Sequence, residues 1–379
     1  MLNQSLKIGI SCYPSIGGSG ILATALGIEL AKQGHEVHFV SYDRPVRLPD
    51  PFERTYFHPV RIHGYGIFSH ADYTLPLAVK LAEVTRAHRL DILHAHYAVP
   101  HATAAVLARE FLPPELRPRV VTTLHGTDTM LLGRDEAYRP VLRHTLIHSD
   151  RITTVSRFLR DETFRLVEAG HDIDVVPNFF VPRAALRSRA VVRGELGLSD
   201  GQALVIHISN LRPVKRIDLL LDTASRIQPF DSFKLLIIAG DDFAPFRAEV
   251  KRLGLEDRVL VREHVTAVEE YIASADLALI TSEYESFCLS ILEAMTFAVP
   301  SVSTAVGGIP EVIDHEVTGL LRPFGDAAGL AESVSELIAD PAKRSRLGLA
   351  ARERAASLFS AERVVAQYLD VYRSALAES

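Results

Sequence analysis

Two glutamates, Glu285 and Glu293, stand eight residues apart in the second half of the chain. If Glu285 precedes a helix and Glu293 lies inside it, a rise of 1.5 Å per residue separates them by about 12 Å. A nucleotide-sugar could span that distance from its sugar to its ribose, and the N–H groups at the helix start would face its diphosphate. The apolar residues around Glu293 indicate a buried helix, in which a carboxylate needs a partner. The spacing therefore favours a nucleotide-sugar site over an exposed acidic pair.

Three cations, Arg212, Lys215 and Arg216, follow a predicted strand and precede a predicted helix. Positive charge at a helix start is unfavourable, because the helix dipole has its positive end there. A bound anion such as a diphosphate would offset this cost, since arginine offers forked donors and lysine a point charge. The cluster therefore predicts an anion site, and a solvated basic surface is the alternative.

A glycine-rich loop follows the first predicted strand and precedes a helix. Glycine lets the backbone approach a ligand closely, and the helix start offers free N–H groups to an anion. The pattern Gly18-x-Gly20-x-x-Ala23, with Asp43 after the second strand, also matches the relaxed dinucleotide fingerprint. The loop is longer than the tight turn of that fingerprint. We therefore expect a ligand here, and an NAD-dependent dehydrogenase is an alternative.

Histidines also end two predicted strands. His94 and His96 alternate along one strand and would share a face, as metal ligands can. No third ligand is evident near them, so hydrogen-bonding or structural histidines are favoured over a metal site. Tyr97 is the better candidate to reach a ligand, and His125, followed by glycine, could present a hydrogen-bonding group. A loop histidine without a special role is the alternative for His125.

The elements that must position these residues follow a regular alternation of short apolar runs and amphipathic stretches, typical of parallel sheets with crossover helices. The predicted strands are 6–11, 37–42, 91–97, 119–126, 151–156, 173–178, 204–210, 234–240, 258–263, 277–282, 300–305 and 319–323. A helix is predicted over 21–33, with Gly34 at its end. The pattern predicts an α/β fold of two doubly wound domains, whose ligands bind at the carboxyl ends of the strands.

The 379 residues suffice for two such domains, which we place at 1–180 and 181–360. The arginine-rich stretch 181–202 has no clear period and is interpreted as the linker and the entry to the second domain. We expect the C-terminal helix, 361–379, to pack back on the first domain. Two domains of this kind would form a cleft between the carboxyl ends of their sheets.

Composition excludes several classes of protein. The 41 Lys and Arg against 47 Asp and Glu leave a formal net charge of -6, which argues against nucleic acid as the main partner. The apolar runs stop short of the roughly 18 residues that span a bilayer. Only Cys12 and Cys288 occur and the first residues lack a signal-peptide pattern, so we expect a cytoplasmic protein without disulfides.

Taken together, the loops resemble the retaining glycosyltransferases of family 4, which have the GT-B fold of two Rossmann-like domains facing a cleft. The resemblance extends over essentially the whole chain and is most specific at Glu285, Glu293 and the following GGIPEVI, 307–313. It implies that Glu285 contacts the transferred sugar, that Glu293 holds the ribose and that Lys215 binds the diphosphate. The donor-binding residues that it implies are Gly18, Asn210, Arg212, Lys215, Arg216, His264, Ser286, Phe287, Cys288, Leu289 and Glu293.

The chain departs from the family pattern at two positions. Asn210 stands where the family has an arginine, and Arg212 or Arg216 would have to compensate. Cys288 stands where the family usually has glycine, and its side chain could crowd the diphosphate loop. His264 is included as part of a loop, 262–266, that we expect to contact the uracil.

A narrower set of motifs is similar to one branch of the family, which moves GlcNAc from UDP-GlcNAc to the hydroxyl of L-malate in the first step of bacillithiol biosynthesis. These motifs are CYPSIGGSG (12–20), HAHYAVPHA (94–102), TTLHGTD (122–128) and HISNLRPVKR (207–216). The resemblance implies a malate pocket at Ser19, Tyr97, Thr123 and Arg143. Arg143 suits a dicarboxylate because its fork pairs bidentately with a carboxylate.

The same resemblance implies that His125 faces the donor sugar and acts with Glu285 and Lys215 in catalysis. No metal is expected, and Asp172-x-Asp174 is interpreted as a chance match to the motif of metal-dependent transferases because it runs into the predicted strand 173–178. A homodimer is expected from the branch. The alternatives are a family 4 enzyme with an inositol phosphate, lipid or sugar acceptor, the dehydrogenase, and a non-catalytic two-lobed sugar-binding protein.

Overall fold

The computed structural model describes residues 5–14, 17–61 and 73–377. The chain divides into two compact units, Met1–Asn178 with Ala361–Ser379, and Phe179–Ser360. Each unit contains one sheet of parallel strands flanked by helices, which confirms the predicted α/β architecture. Within the described residues, no helix combines the length and the apolarity that crossing a bilayer would require.

The sheet of the N-terminal unit has the strand order β3-β2-β1-β4-β5-β6-β7 in the described part of the chain. Its strands are β1 (Lys7–Ser11), β2 (Glu36–Ser41), β3 (Thr55–Pro59), β4 (Ile92–His96), β5 (Arg119–Leu124), β6 (Arg151–Thr154) and β7 (Ile173–Val175). The helices that precede the unit boundary are α1 (Gly18–Lys32), α2 (Thr74–His88), α3 (Thr103–Glu110), α4 (Arg139–Ile147) and α5 (Arg157–Leu166). The central strands β1, β4 and β5 are parallel neighbours, so their carboxyl ends lie at one edge of the sheet.

Helix α1 shows how the sequence ends an element. Gly34 follows the helix with a φ of 93°, a conformation that residues with a Cβ rarely adopt. Its N–H donates to the carbonyl of Ala31, and the N–H of His35 reaches the carbonyl of Leu30. These bonds satisfy carbonyls that the helix end would leave unpaired. The chain can therefore turn into β2 directly after the helix.

The C-terminal unit has the strand order β10-β9-β8-β11-β12-β13. Its strands are β8 (Ala203–Ser209), β9 (Phe233–Ala239), β10 (Val259–Glu263), β11 (Leu277–Ile280), β12 (Ser301–Thr304) and β13 (Gly319–Arg322). Its helices are α6 (Arg189–Glu195), α7 (Ile217–Arg226), α8 (Arg247–Arg252), α9 (Val268–Ser274), α10 (Leu289–Thr296), α11 (Ile309–Val312), α12 (Ala327–Ala339) and α13 (Pro341–Leu358). Buried aliphatic side chains on both faces of β8, β9 and β11 form its core.

The last helix, α14 (Ala361–Ala377), belongs to the N-terminal unit. It packs against α1 and β5 and buries Tyr368 and Tyr372 completely. The hydroxyl of Tyr372 lies 2.8 Å from Nδ1 of His94, so a polar contact ties the end of the chain to β4.

The structure differs from the sequence prediction at two elements. Strand β3 is not predicted, and its five residues are half-buried or exposed at the edge of the sheet. The stretch 181–202, interpreted as a linker, contains the short helix α6, for which Ser188 is the N-cap. The helix buries Val192, and its N-cap hydroxyl accepts a hydrogen bond from the N–H of Val191.

Candidate active site

Lys215 and Glu285 meet in the C-terminal unit, from loops 70 positions apart. The ammonium Nζ of Lys215 donates to Oε1 of Glu285 at 2.6 Å, and the hydroxyl of Ser282 donates to the same oxygen at 2.8 Å. Glu285 is buried, and about a fifth of the Lys215 side chain is exposed. Lys215, expected from the family resemblance to bind the diphosphate, and Glu285, expected to contact the sugar, are therefore in direct contact.

Burial by itself lowers the pKa of Lys215, but the neighbouring carboxylate of Glu285 outweighs it and holds that pKa above its ordinary value. The lysine therefore stays charged at neutral pH. It leaves part of its surface open to solvent, where an anion could approach a fixed positive charge.

The glycine turn after β12 holds the Glu285 loop in place. The N–H of Gly308 donates to the backbone carbonyl of Glu285 at 2.9 Å. Gly307 has a φ of 57°, and a Cβ added there would lie 1.9 Å from that carbonyl. Only glycine fits this close approach, so the second glycine motif positions Glu285.

Helix α10 begins directly after Cys288, whose backbone lies in the left-handed region with a φ of 73°. This conformation explains why glycine suits the position and why cysteine departs from the pattern at a conformational cost. Burial, and then the carboxylate of Glu285, raise the pKa of the Cys288 thiol to about 12, so the thiol is neutral. Glu285 precedes α10, whereas Glu293 lies inside it and is buried.

The other cations of the basic cluster have different surroundings. Arg216 is the N-cap residue of α7, with a φ of 50°. It donates to Asp218 in the first turn at 2.7 Å and lies 5.1 Å from the ring centre of Phe324. The negative charge of Asp218 is favourable at the positive end of the helix dipole, so it offsets much of the cost of placing cations at the start of α7. Arg216 is therefore paired within the protein, and contact with a second phosphate would require it to exchange Asp218 for that anion.

Arg212 is exposed, and its carbonyl accepts a hydrogen bond from the N–H of Lys215 at 2.8 Å, whereas its guanidinium forms no hydrogen bond or ion pair among the residues that the structure describes. Asn210, at the position of the family's arginine, has a buried side-chain oxygen without a hydrogen-bond partner in the described chain. Of the two arginines that could compensate for Asn210, Arg212 is thus the one with an uncommitted guanidinium.

The remaining donor-side residues lie on three other segments. Ser286 follows Glu285 and Leu289 is the first residue of α10, and both are half-buried. The ring of Phe287 packs edge-on against Phe359, with the ring centres 5.4 Å apart. His264 is exposed after β10, with a φ of 54°. Gly18 belongs to the other unit, where it begins α1. Ser15 and Ile16 of the same loop lie outside the described residues.

In the N-terminal unit the structure brings together two of the four predicted acceptor residues. The hydroxyl of Ser19 donates to the phenol oxygen of Tyr97 at 3.0 Å. Tyr97 follows β4 with a φ of 84°, and its N–H donates to the carbonyl of Thr123 at 2.9 Å. The first turn of α1 and the end of β4 therefore present two hydroxyl groups at one point.

The structure does not support a direct acceptor contact by the side chain of Thr123. This side chain is fully buried, and its hydroxyl lies 2.7 Å from Nε2 of His94 and 2.6 Å from the hydroxyl of Thr153. Thr123 lies within β5, where neighbouring strands cover this hydroxyl, so its role at the acceptor stays a prediction.

Arg143 lies on α4 and pairs with a carboxylate of the protein. Its Nη2 and Nε donate to Oε2 of Glu168 at 2.7 and 3.0 Å, with half of the Arg143 side chain and most of the Glu168 side chain exposed. Exposed pairs of this kind contribute about 0–1 kcal/mol. A bound dicarboxylate would have to compete with Glu168, but the competition is weak.

His125 is half-buried, and its Nε2 lies 3.0 Å from Nδ1 of the fully buried His96. Burial lowers the pKa of His125 to about 3, so its ring is neutral at physiological pH. The ring of Tyr97 lies 5.1 Å away, centre to centre. His125 therefore adjoins the ring of Tyr97 as a neutral hydrogen-bonding group and does not act as a cation there.

Asp128 is a residue of this site that the sequence reasoning missed. It is buried, and its carboxylate accepts from the N–H groups of Gly126, Ala98 and Thr129 at 2.9, 3.2 and 3.1 Å. It thereby joins the loop after β5 to the loop after β4. The sequence offered one signal for this role, an acidic residue that follows a strand, at the end of the motif TTLHGTD.

Comparison with known proteins identifies the family. Residues 16–183 match the family Glycosyltransferase Family 4, and residues 188–354 match Glycosyl transferases group 1. The chain is 42% identical to N-acetyl-alpha-D-glucosaminyl L-malate synthase from Bacillus anthracis over 98% of both chains. It is 27% identical to D-inositol 3-phosphate glycosyltransferase from Nocardia farcinica, over 96% of this chain and 86% of the other.

A solved structure has the same fold along its whole length. Sucrose-phosphate synthase from Thermosynechococcus elongatus superposes with a TM-score of 0.81 at 23% identity, over 99% of this chain and 100% of the other. The two Rossmann-like units are those of the GT-B fold. The chain is a glycosyltransferase and belongs to glycosyltransferase family 4.

Proposed function

We propose that this chain transfers GlcNAc from UDP-GlcNAc to the hydroxyl of L-malate with retention of the anomeric configuration, the first step of bacillithiol biosynthesis. The carrying observation is the 42% identity to the Bacillus anthracis malate synthase over 98% of both chains. The contact between Lys215 and Glu285 supports the proposal, because it joins the two groups that the donor site needs.

On the donor side, we assign the diphosphate to Lys215, Arg212 and the N–H groups at the start of α10. Lys215 is charged and partly open to solvent, and Arg212 is exposed. The first N–H groups of a helix bind anions because they have no partner within it. Glu285, in the loop before α10, would contact the sugar, and Glu293, inside α10, would contact the ribose.

On the acceptor side, the hydroxyls of Ser19 and Tyr97 would bind malate, with Arg143 as the partner of one carboxylate. The exposed Glu168 holds Arg143 only weakly, so malate can replace it as the anionic partner. The neutral ring of His125 would hydrogen-bond the sugar as it moves between the substrates.

The proposed reaction exchanges one bond at the anomeric carbon. The malate hydroxyl oxygen bonds to that carbon on the face from which UDP departs, and the bond to the β-phosphate oxygen breaks. The proton of the malate hydroxyl passes to the departing diphosphate. The protein supplies positioning and stabilises the developing negative charge on UDP through Lys215, Arg212 and the α10 N–H groups, while the sugar passes through an oxocarbenium-like state. These charges make a catalytic metal unnecessary in the proposal.

A second acceptor class has one supporting observation. The relative from Nocardia farcinica is named for D-inositol 3-phosphate and matches most of this chain at 27% identity. The same Ser19, Tyr97 and Arg143 groups would then meet a phosphate and ring hydroxyls. The higher identity to the malate enzyme favours malate.

The proposal is tested by measuring UDP release from UDP-GlcNAc in EDTA with L-malate, D-inositol 3-phosphate or succinate. Malate should support turnover, whereas succinate should not, because it has both carboxylates but lacks the attacking hydroxyl. In Glu285→Gln, kcat should fall about 100-fold or more, as happens when one charged or hydrogen-bonding group of a transition state is removed.

Glu283→Gln is the matched control, because Glu283 is an exposed glutamate two residues away that lies 3.7 Å from Arg216. It should keep kcat within about twofold of the native value, as surface changes usually have small effects. Release with inositol phosphate but not with malate would contradict the acceptor assignment. Equal kcat values in Glu285→Gln and Glu283→Gln would contradict the site.

A further inference from the structure

Three histidines of the N-terminal unit converge at a place that the glycosyl transfer does not use. His38 lies in the middle of β2, His58 in the edge strand β3 and His88 at the last position of α2. One ring nitrogen of each lies within 4.8 Å of the others. Nδ1 of His38 and Nε2 of His58 are 2.9 Å apart, and the rings of His38 and His88 are 4.4 Å apart, centre to centre. Among the described residues, no other three metal-ligating side chains converge in this way.

A carboxylate orients the central ring. Nε2 of His38 lies 2.8 Å from Oε1 of Glu36, so His38 can donate its Nε2–H to this carboxylate. That tautomer leaves the lone pair of Nδ1 directed at His58 and available to a cation. A metal-bound histidine commonly donates its other N–H to a carboxylate, which fixes the ring and raises its basicity. The arrangement of Glu36, His38 and the two further histidines has this form.

The charges around the cluster allow a cation to bind. Two lysines lie nearby, and each has an acidic partner. Lys7 Nζ is 3.7 Å from Oε1 of Glu36, and Lys80 pairs with Glu83. A dication would therefore meet three imidazole rings and one carboxylate, with the lysine charges largely offset.

We propose that His38, His58 and His88 bind a transition-metal dication, with Zn²⁺ the best fit, and that Glu36 orients His38 through the hydrogen bond from its Nε2–H. Three imidazoles with one open position for water are a common Zn²⁺ ligand set. With ligand distances of about 2.0–2.1 Å, small movements of the rings would suffice, because two of the nitrogens are already in contact.

Such an ion would act structurally. It would join β3, an edge strand, and the end of α2 to β2, which lies one strand further into the sheet. His38 lies in the middle of its strand, away from the carboxyl end where the residues of the acceptor site lie. The ion would therefore stabilise this edge of the N-terminal unit without taking part in the transfer.

The experiment uses the full chain without a histidine tag, first dialysed against EDTA and then freed of EDTA. Zn²⁺ is titrated against a chromogenic zinc indicator, and thermal unfolding is followed with and without one equivalent of Zn²⁺. The native chain should bind one tight equivalent and unfold at a higher temperature with it. His58→Gln and His88→Gln should each lose at least tenfold in affinity and most of the thermal shift, and both positions are only half-buried. Glu36→Gln should weaken binding about 10–100-fold.

His171→Gln is the matched control, because His171 is an exposed histidine of the same unit whose ring binds the carbonyl of Ile147. It should bind Zn²⁺ like the native chain. X-ray absorption of the one-equivalent complex should show three imidazole nitrogens at about 2.0–2.1 Å. The proposal is overturned if the native chain shows no tight equivalent, if His58→Gln binds as tightly as the native chain, or if fewer than three imidazoles surround the ion.

Discussion

Cys288 combines a buried side chain with a backbone conformation that glycine adopts more easily. Its φ of 73° places Cβ where L-residues are disfavoured by about 1–2 kcal/mol. The residue directly precedes α10, so the conformation is needed for the chain to enter the helix after Glu285. The substitution of cysteine for glycine thus preserves the backbone path and stores a small strain beside the candidate site.

This strain can be measured with two variants. Cys288→Ala removes the thiol and keeps a Cβ, whereas Cys288→Gly removes both. We expect the glycine variant to have a free energy of unfolding about 1 kcal/mol higher than the alanine variant, the reverse of the usual order of these residues in regular structure. Urea unfolding of both proteins gives the difference. A more stable alanine variant would show that the backbone at this position is not strained.

At the scale of single residues, the sequence predicted those site residues that lie close together along the chain. The eight-residue separation of Glu285 and Glu293 and the basic cluster at Lys215 could be read directly. The roles of Thr123 and Asp128 could not, because they depend on hydrogen bonds to residues about 30 positions away. Nothing in the residues next to Thr123 indicates that its hydroxyl is buried, and nothing next to Asp128 indicates that it joins two loops.

At the scale of elements, the periodicity predicted the strands that are buried on both faces to within one or two residues at the start, although several predicted strands run past the end. Such strands are continuous apolar runs, which sequence alone identifies well. Strand β3 was missed because its residues, TYFHP, are partly exposed and end in proline. Edge strands are commonly short and polar, which limits pairing with other chains. Such a strand has little hydrophobic periodicity of its own, so the sequence does not reveal it.

The glycine turn at Gly307 gives the prediction that belongs to this scale. Gly307→Ala places a Cβ against the carbonyl of Glu285, so the loop that carries Glu285 must move. We expect at least a tenfold loss of kcat/KM and a loss of unfolding free energy greater than the roughly 1 kcal/mol that an unfavourable φ alone costs.

Gly254→Ala separates the effect of an unfavourable φ from the effect of the contact with the Glu285 carbonyl. Gly254 has a φ of 66°, and an added Cβ would meet nothing within 4 Å. It should therefore lose only about 1 kcal/mol of stability and keep its activity. If Gly307→Ala behaves like Gly254→Ala, the contact with Glu285 has no role in positioning the loop.

At the scale of the whole molecule, several buried or half-buried histidines are kept neutral. Burial lowers the pKa values of His94, His101 and His125 to about 3 in the N-terminal unit. In the unfolded chain a histidine protonates near pH 6.5. Between these values the unfolded state binds more protons than the folded state, so stability rises with pH and is lost as the pH falls below about 6.5.

We therefore expect the free energy of unfolding, measured by urea in EDTA, to fall markedly from pH 7 to pH 5. Each of these histidines contributes up to about 1.4 kcal/mol per pH unit in this window. His125→Gln should reduce the slope by about that amount, whereas His171→Gln, at an exposed position, should leave the slope as in the native chain. A stability that is constant between pH 7 and pH 5 would contradict the neutral state of these rings.

The most direct test of the central claim is the structure of the product. Proton NMR of the compound formed from UDP-GlcNAc and L-malate should show GlcNAc joined to the malate hydroxyl, with the small coupling between the first two sugar protons that marks an α-glycoside. This result is predicted because attack and departure occur on the same face of the sugar. A β-linked product, or free GlcNAc with unchanged malate, would contradict the account.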